Sequence, residues 1–267
     1  MNRLLISIAF GLAALGQTVA PDSAEQQAIL SRMREAALSY SDRLQDFICT
    51  QITTRTADRY GNGHWKPLEV QELELSYVAH KESYRLLKVN GKSTDVDKRV
   101  KQGYFKPSGE FGTALRWIFG PKAKAEFFWD RLEGAGTKRA CIFRYSVAES
   151  SSTMMMHADL DVAPMGHRGF VQADCDTGMV LRIHIVTDPA FVKRHGQPVA
   201  VGTWLDVRYG WTTISSKEFL VPQEAEETGI FGPTLTRAKI EFRNYRKYES
   251  NSTIRFDESP AKPPEKQ

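Results

Sequence analysis

The feature that most restricts this chain is a two-residue rhythm of apolar and polar side chains in its second half. Val199, Val201, Thr203, Leu205, Val207 and Tyr209 oppose Asp206 and Arg208. Leu181, Ile183 and Ile185 oppose Arg182 and His184, and Ala238, Ile240 and Phe242 oppose Lys239, Glu241 and Arg243. Successive side chains of a strand point to opposite faces, so each run has a packed side and a wet side. Strands of this kind belong to an antiparallel sheet with one solvated face. Turn signals fall between such runs: Asn90-Gly91, where both positions tolerate positive φ, and Asp176-Thr177-Gly178.

Further strands are expected at Phe47 to Thr54, 68–78, 83–89, 126–132, 138–147, 168–175 and 179–187, giving about ten in all. A sheet that large curls through its accumulated twist, and its apolar side must be covered. Two helices are available for that. Asp22 and Glu25 form a capping box, after which Ile29, Met33, Ala36, Ala37, Tyr40, Leu44 and Phe47 recur at helical spacing. These predict a helix of about 22 residues. Phe111, Ala114, Leu115, Ile118 and Phe119 predict a short inserted helix that Gly120-Pro121 stops. The expected fold is therefore α+β, mainly antiparallel β: a curled half-barrel sheet covering a long N-terminal helix and a short inserted helix.

The amino end has a different character. Arg3 precedes an uncharged apolar run from Leu4 to Leu15, too short to span about 30 Å of hydrocarbon but suited to a secretory signal peptide. Cleavage is expected after Gly16 or Ala20, and Pro21 disfavours the second site. Residues 1–20 are thus read as a signal peptide, 21–257 as the half-barrel domain, and the Pro- and Lys-rich 258–267 as a disordered tail. The expected location is periplasmic or secreted, with no transmembrane segment in the mature chain. A net charge of +4 is too small to argue for nucleic acid. A monomer is expected.

Cys49, Cys141 and Cys175 are widely spaced and form no CxxC. In an oxidising compartment one pair can bridge, and the strand patterns put Cys141 and Cys175 on apolar faces, which favours that pair over buried free thiols. No spacing identifies a nucleophile or a phosphate cradle, so no catalytic residue and no cofactor is expected. His157, Asp159 and Asp161 would share a strand face and, with His167, supply imidazole and carboxylate ligands to an ion such as Zn²⁺. Pro164-Met165-Gly166 instead suggests a loop, where Asp is common for turn reasons. Met154-Met155-Met156 is read as a strand packing its thioethers rather than as a soft-metal site. The aromatic residues suggest more. Phe111, Leu115, Ile118 and Phe119 on the inserted helix, with Phe127, Trp129, Phe143 and Tyr145 on the next two strands, would either line an apolar ligand cavity or fill the core.

The order of parts resembles the exported carrier and sorting proteins of the outer-membrane lipoprotein carrier (LolA-like) type. The resemblance rests on a signal peptide, a long helix, an antiparallel meander, an inserted helix and the hairpin from Asp174 through Thr177-Gly178 to Val180-Leu181-Arg182. Phe47-Ile48-Cys49-Thr50-Gln51, Gly109-Glu110-Phe111-Gly112 and Glu241 to Lys247 are similar to strings in a group of exported bacterial proteins. The resemblance implies an unclosed barrel with a helical lid and a hydrophobic cavity, and so a soluble binding or carrier module for a lipid or lipoprotein cargo. The alternatives are a metal-dependent hydrolase using the His157 group, or an envelope structural or interaction protein without a ligand.

Overall fold

Along the first strand, β1 (Phe47–Asp58), Phe47, Cys49, Gln51 and Thr53 are buried while Ile48, Thr50 and Ile52 are only half so. This is the alternation of a sheet with one packed face. The computed structural model describes residues 20–94, 111–134, 139–158 and 161–249, with backbone alone at 157, 158 and 161. The strands that follow β1 are β2 (Lys66–Val78), β3 (Lys81–Val89), β4 (Lys92–Ser93), β5 (Glu126–Glu133), β6 (Ala140–Val147), β7 (Met155–Ala158) and β8 (Asp161–Pro164). After them come β9 (His167–Asp174), β10 (Val180–Thr187), β11 (Ala190–Arg194), β12 (Gln197–Ile214), β13 (Lys217–Phe231) and β14 (Thr234–Lys247).

One antiparallel sheet holds most of them, in the order β4-β3-β2-β1-β14-β13-β12-β10-β9-β6-β5, with β11 beside one end of β12. The sheet is open, and β7 and β8 form a separate hairpin. The strands outnumber the ten expected. The largest addition is β13, whose acidic run Glu224, Glu226, Glu227 masks its alternation. Nor is the charged β14 an edge, as its mixed charges suggest. It lies between β1 and β13, and its cations find cross-strand carboxylates: Arg237 with Glu226 at 3.4 Å and Arg246 with Glu74 at 3.1 Å.

The N-terminal helix α1 (Ser23–Leu38) starts as its capping box requires, with Asp22 Oδ1 accepting from the Glu25 amide at 2.8 Å. It stops well short of Phe47. At Ser39 the hydroxyl donates to the Glu35 carbonyl at 2.7 Å and satisfies a terminal acceptor. A single turn, α2 (Tyr40–Arg43), follows before the chain extends into β1. Tyr40 and Leu44 stay buried across the break, which explains why the helical period runs on through it. The inserted helix is α3 (Thr113–Phe119).

Ile29, Met33 and Ala37 of α1 and Leu115, Ile118 and Phe119 of α3 join Val171, Ile183, Ile185 and Val207 of the sheet in one core. Each large apolar side chain so buried contributes about 1.5–3 kcal/mol. The helix α1 rests on the β9–β10 hairpin, where Arg32 Nη2 donates to the Cys175 carbonyl at 2.9 Å. A disulfide joins Cys141 to Cys175, whose Cα atoms are 5.1 Å apart. The third thiol, Cys49, is buried and free, and burial pushes it up to about 12 against a Tyr245 hydrogen bond. The β3–β4 turn uses Asn90 and Gly91 at φ 51° and 75°, the left-handed values its sequence requires.

Candidate functional site: an apolar groove beside the first helix

Where α1 gives way to α2, the helices stand off the ends of β12 and β13. The groove they leave has a volume of about 210 Å³. Its helical wall is Ala36, Ala37, Tyr40, Leu44 and Leu115; its sheet wall is Met179, Val180, Trp211, Phe219 and Leu220. Trp211 follows Val207 and Tyr209 in the alternation of β12 and so belongs to the packed face. It is nevertheless 55 % exposed, although the α1–α2 segment forms the opposite wall of the groove. An indole on the core side of a sheet, open to water, marks unfilled apolar surface.

Polar groups are few here. Tyr40 meets Tyr209 edge to face at 5.7 Å, and its hydroxyl is buried without a hydrogen-bond partner. Burial raises the Tyr40 pKa well above the usual phenol value, so the group is a neutral donor and acceptor. At the mouth, Arg43 Nη2 donates to the Ala36 carbonyl at 2.6 Å and Glu218 is exposed. Gln45 Nε2 donates to the Ile214 carbonyl at 3.2 Å and ties the segment after α2 to the end of β12.

Of the side chains expected to line a cavity, Leu115 borders this groove. The aromatic ones among the others fall into three contact groups. Phe111 packs with Phe47 and Phe242 at 5.3 and 5.4 Å. Phe119 stacks on Phe127 at 5.3 Å, Phe127 meets Tyr145 at 6.1 Å, and Trp129 meets Phe143 at 5.3 Å. Phe111, Ile118, Phe119, Phe143 and Tyr145 are buried, whereas Phe127 and Trp129 are half-buried beside the β5 border. Sequence reasoning missed Trp211, Phe219, Leu220 and Met179. Extending the β12 alternation two residues past Tyr209 would have reached Trp211.

Of the residues expected to hold a metal, His167 alone has a described side chain. His157 and Asp161 lie on β7 and β8, paired in register with Val162 and Ala158, and Asp159 is outside the described residues. His167 is buried against Tyr145 at 5.7 Å, with no hydrogen-bond partner on either ring nitrogen. Burial lowers its pKa to about 4 despite Asp188. Among the described residues no three His, Cys, Asp or Glu side chains gather in a metal-holding group. Asp174 accepts from the Thr177 amide and hydroxyl at 2.8 and 2.7 Å, and Asp176 pairs with Arg139, so both serve the hairpin.

On the opposite, wet face, His184 is not the plain surface residue its strand position suggests. Asp206 accepts from Arg182 Nε with both oxygens at 3.0 Å, from Arg182 Nη2 at 2.8 Å and from His184 Nδ1 at 3.2 Å. Trp204 Nε1 donates to His184 Nε2 at 3.1 Å, which places the imidazole proton on Nδ1. Burial alone would raise the Asp206 pKa, but the His184 and Arg182 bonds outweigh it and hold the carboxyl low. Both imidazole nitrogens are thus engaged in bracing β10 to β12, beside a polar hollow of about 270 Å³.

Fold and groove together define an open, helix-padded antiparallel sheet protein with an apolar recess. No family model and no curated protein matches the chain. Among solved structures it is similar to a LolA superfamily protein from Nitrosomonas europaea, at 8 % identity and a TM-score of 0.34, over 84 % of this chain and 93 % of that one. It is also similar to a DUF1329 family protein from Desulfovibrio piger, at 9 % identity and a TM-score of 0.36, over 81 % and 92 % of the two chains.

Proposed function

We propose that residues 21–257 form an exported binding module that holds one acyl chain, or another apolar segment of a lipid or lipidated partner, in the groove between α1–α2 and the sheet. The observation that carries this reading is Trp211, an exposed indole on the packed face, beside Met179, Phe219 and Leu220. The unpartnered Tyr40 hydroxyl adds a hydrogen-bonding group for an ester or carboxyl oxygen at the chain's end. Export rests on the amino-terminal sequence; no helix among the described residues is long and apolar enough to cross a membrane.

The test is addition of a fluorescent fatty acid to the purified protein, with native mass spectrometry in parallel. Saturable uptake that falls at least about ten-fold in Trp211→Ala, equivalent to about 1.4 kcal/mol, is expected. No uptake together with a ligand-free mass would overturn the reading. A second reading, an envelope interaction protein without a small ligand, is favoured by the groove's size: about 210 Å³ is less than the about 300 Å³ at which ligand pockets usually begin. That reading predicts the negative result.

A further inference from the structure

At the end of the sheet away from the groove, three hairpin tips form one surface. The β1–β2 tip touches the β13–β14 tip, with Thr234 Oγ1 donating to the Arg59 carbonyl at 3.3 Å. The β13–β14 tip touches the β11–β12 tip, with the Gly232 amide donating to the Ala200 carbonyl at 2.8 Å and Arg194 lying 5.1 Å over the Phe231 ring.

Two properties coincide there. Tyr60 and Phe191 are 78 % and 69 % exposed, and Leu68 and Ile230 are exposed as well. Register places Phe191 opposite Ala200 and Ile230 opposite Gly202 and Leu235, so the two share the outer face of the sheet at this end. Within the three tip segments the charged side chains are all cations. Residues 59–68, 190–200 and 230–237 contain Arg59, Lys66, Lys193, Arg194 and Arg237 and no Asp or Glu. The carboxylates that border these segments are engaged: Asp58 accepts from the Tyr60 and Gly63 amides at 3.2 and 2.6 Å, Glu69 pairs with Arg55 at 3.1 Å, and Glu226 pairs with Arg237 at 3.4 Å. Arg237 lies 4.4 Å over Trp65, a cation held on an indole face. The opposite end of the sheet is mixed in sign, with Asp42, Asp46, Glu82 and Glu218 among Arg43, Lys81 and Lys217.

Exposed aromatic rings ringed by Lys and Arg suit a bilayer interface, where rings sit at headgroup depth and cations meet anionic lipid. A protein partner of ordinary composition would not need so uniform a charge. We infer that these three tips are a docking surface for an anionic lipid bilayer. The Asp58 hydrogen bonds hold the first tip in shape before contact, which reduces the ordering cost of docking. The inference is independent of any ligand in the groove.

Vesicle co-sedimentation tests it. The full chain is mixed with vesicles of phosphatidylcholine alone or of equimolar phosphatidylcholine and phosphatidylglycerol, at low and at high salt. Binding to the anionic vesicles, weakened by salt, is expected. Each cation near the surface is worth about five-fold in partitioning, so Arg59→Glu with Lys66→Glu should weaken binding about 25-fold or more. Tyr60→Ser with Phe191→Ser should weaken it further at high salt, where the apolar part remains. Lys81→Glu with Lys217→Glu, at the other end, should change it less than two-fold or so. Each variant is checked for an unaltered denaturation midpoint, and Arg59→Ala with Lys66→Ala replaces any that fails. No sedimentation with anionic vesicles at low salt, equal binding to neutral ones, or equal loss in the Lys81/Lys217 variant would overturn the inference.

Discussion

Substituting Gly178 by Ala tests the seating of α1 on the sheet. Gly178 has a φ of +73°, where an L residue costs about 1–2 kcal/mol. A Cβ built there would lie 2.4 Å from the Arg32 carbonyl carbon and 2.6 Å from the Met33 nitrogen. Both are backbone atoms in the middle of α1, so no side chain can swing aside and the helix must retreat by about 1 Å. Overpacking of that kind costs about 1–3 kcal/mol. Loss of glycine's freedom in the unfolded chain returns about 0.4–1 kcal/mol, leaving a net cost of about 2–4 kcal/mol. Gly91→Ala is the control: its φ is +75°, yet nothing lies within 4 Å of its Cβ, so only the backbone cost applies. Urea unfolding of the two variants, at unchanged slope, should separate them by about 1–3 kcal/mol. Equal midpoints would refute the contact between α1 and the hairpin, and with it one wall of the groove.

Two further outcomes follow from buried groups. The Cys141–Cys175 bond closes a sequence separation of 34, worth about 4 kcal/mol by loop-closure entropy. Replacing both by Ala should lower the melting temperature by about 10 °C, while alkylation of the unreduced, unfolded wild type should label Cys49 alone. Glu227 has its carboxyl pushed from 4.5 to about 7 by burial, with Thr203 and Arg55 pulling the other way. A folded value above the unfolded one means stability fully present below about pH 4.5 and lost as pH rises through 7, at most about 3 kcal/mol. Glu227→Gln should therefore match the wild type at pH 4 and exceed it at pH 8; unfolding midpoints across that range check the sign.

Much of the sheet is legible because alternation survives wherever one face is wet, as at Leu205, Val207 and Tyr209. It fails at β13, because Glu227 lies on the packed side beside Leu205 and breaks the pattern. The length of α1 is masked for a related reason: Tyr40 and Leu44 are core residues that carry the helical period on past the break at Ser39. The groove was legible only in part. Leu115 announces itself by helical spacing, but Trp211 gains its meaning from where the helices stop, a tertiary fact that local period does not carry. The interlock of the hairpin tips is likewise set by strand order, which brings residues 59, 194 and 232 together across long stretches of chain.

That strand order also governs when the fold can be completed. β1 is flanked by β2 on one side and by β14 on the other, with Phe47 opposite both Tyr77 and Lys247. The first pairing is closed by a short hairpin, the second only across about 200 residues, and such distant closures are slow because the chain loses entropy before contacts form. A chain delivered from its amino end thus holds β1 with one bare edge until β14 arrives. β14, in the middle of the finished sheet, is the piece that joins its two halves.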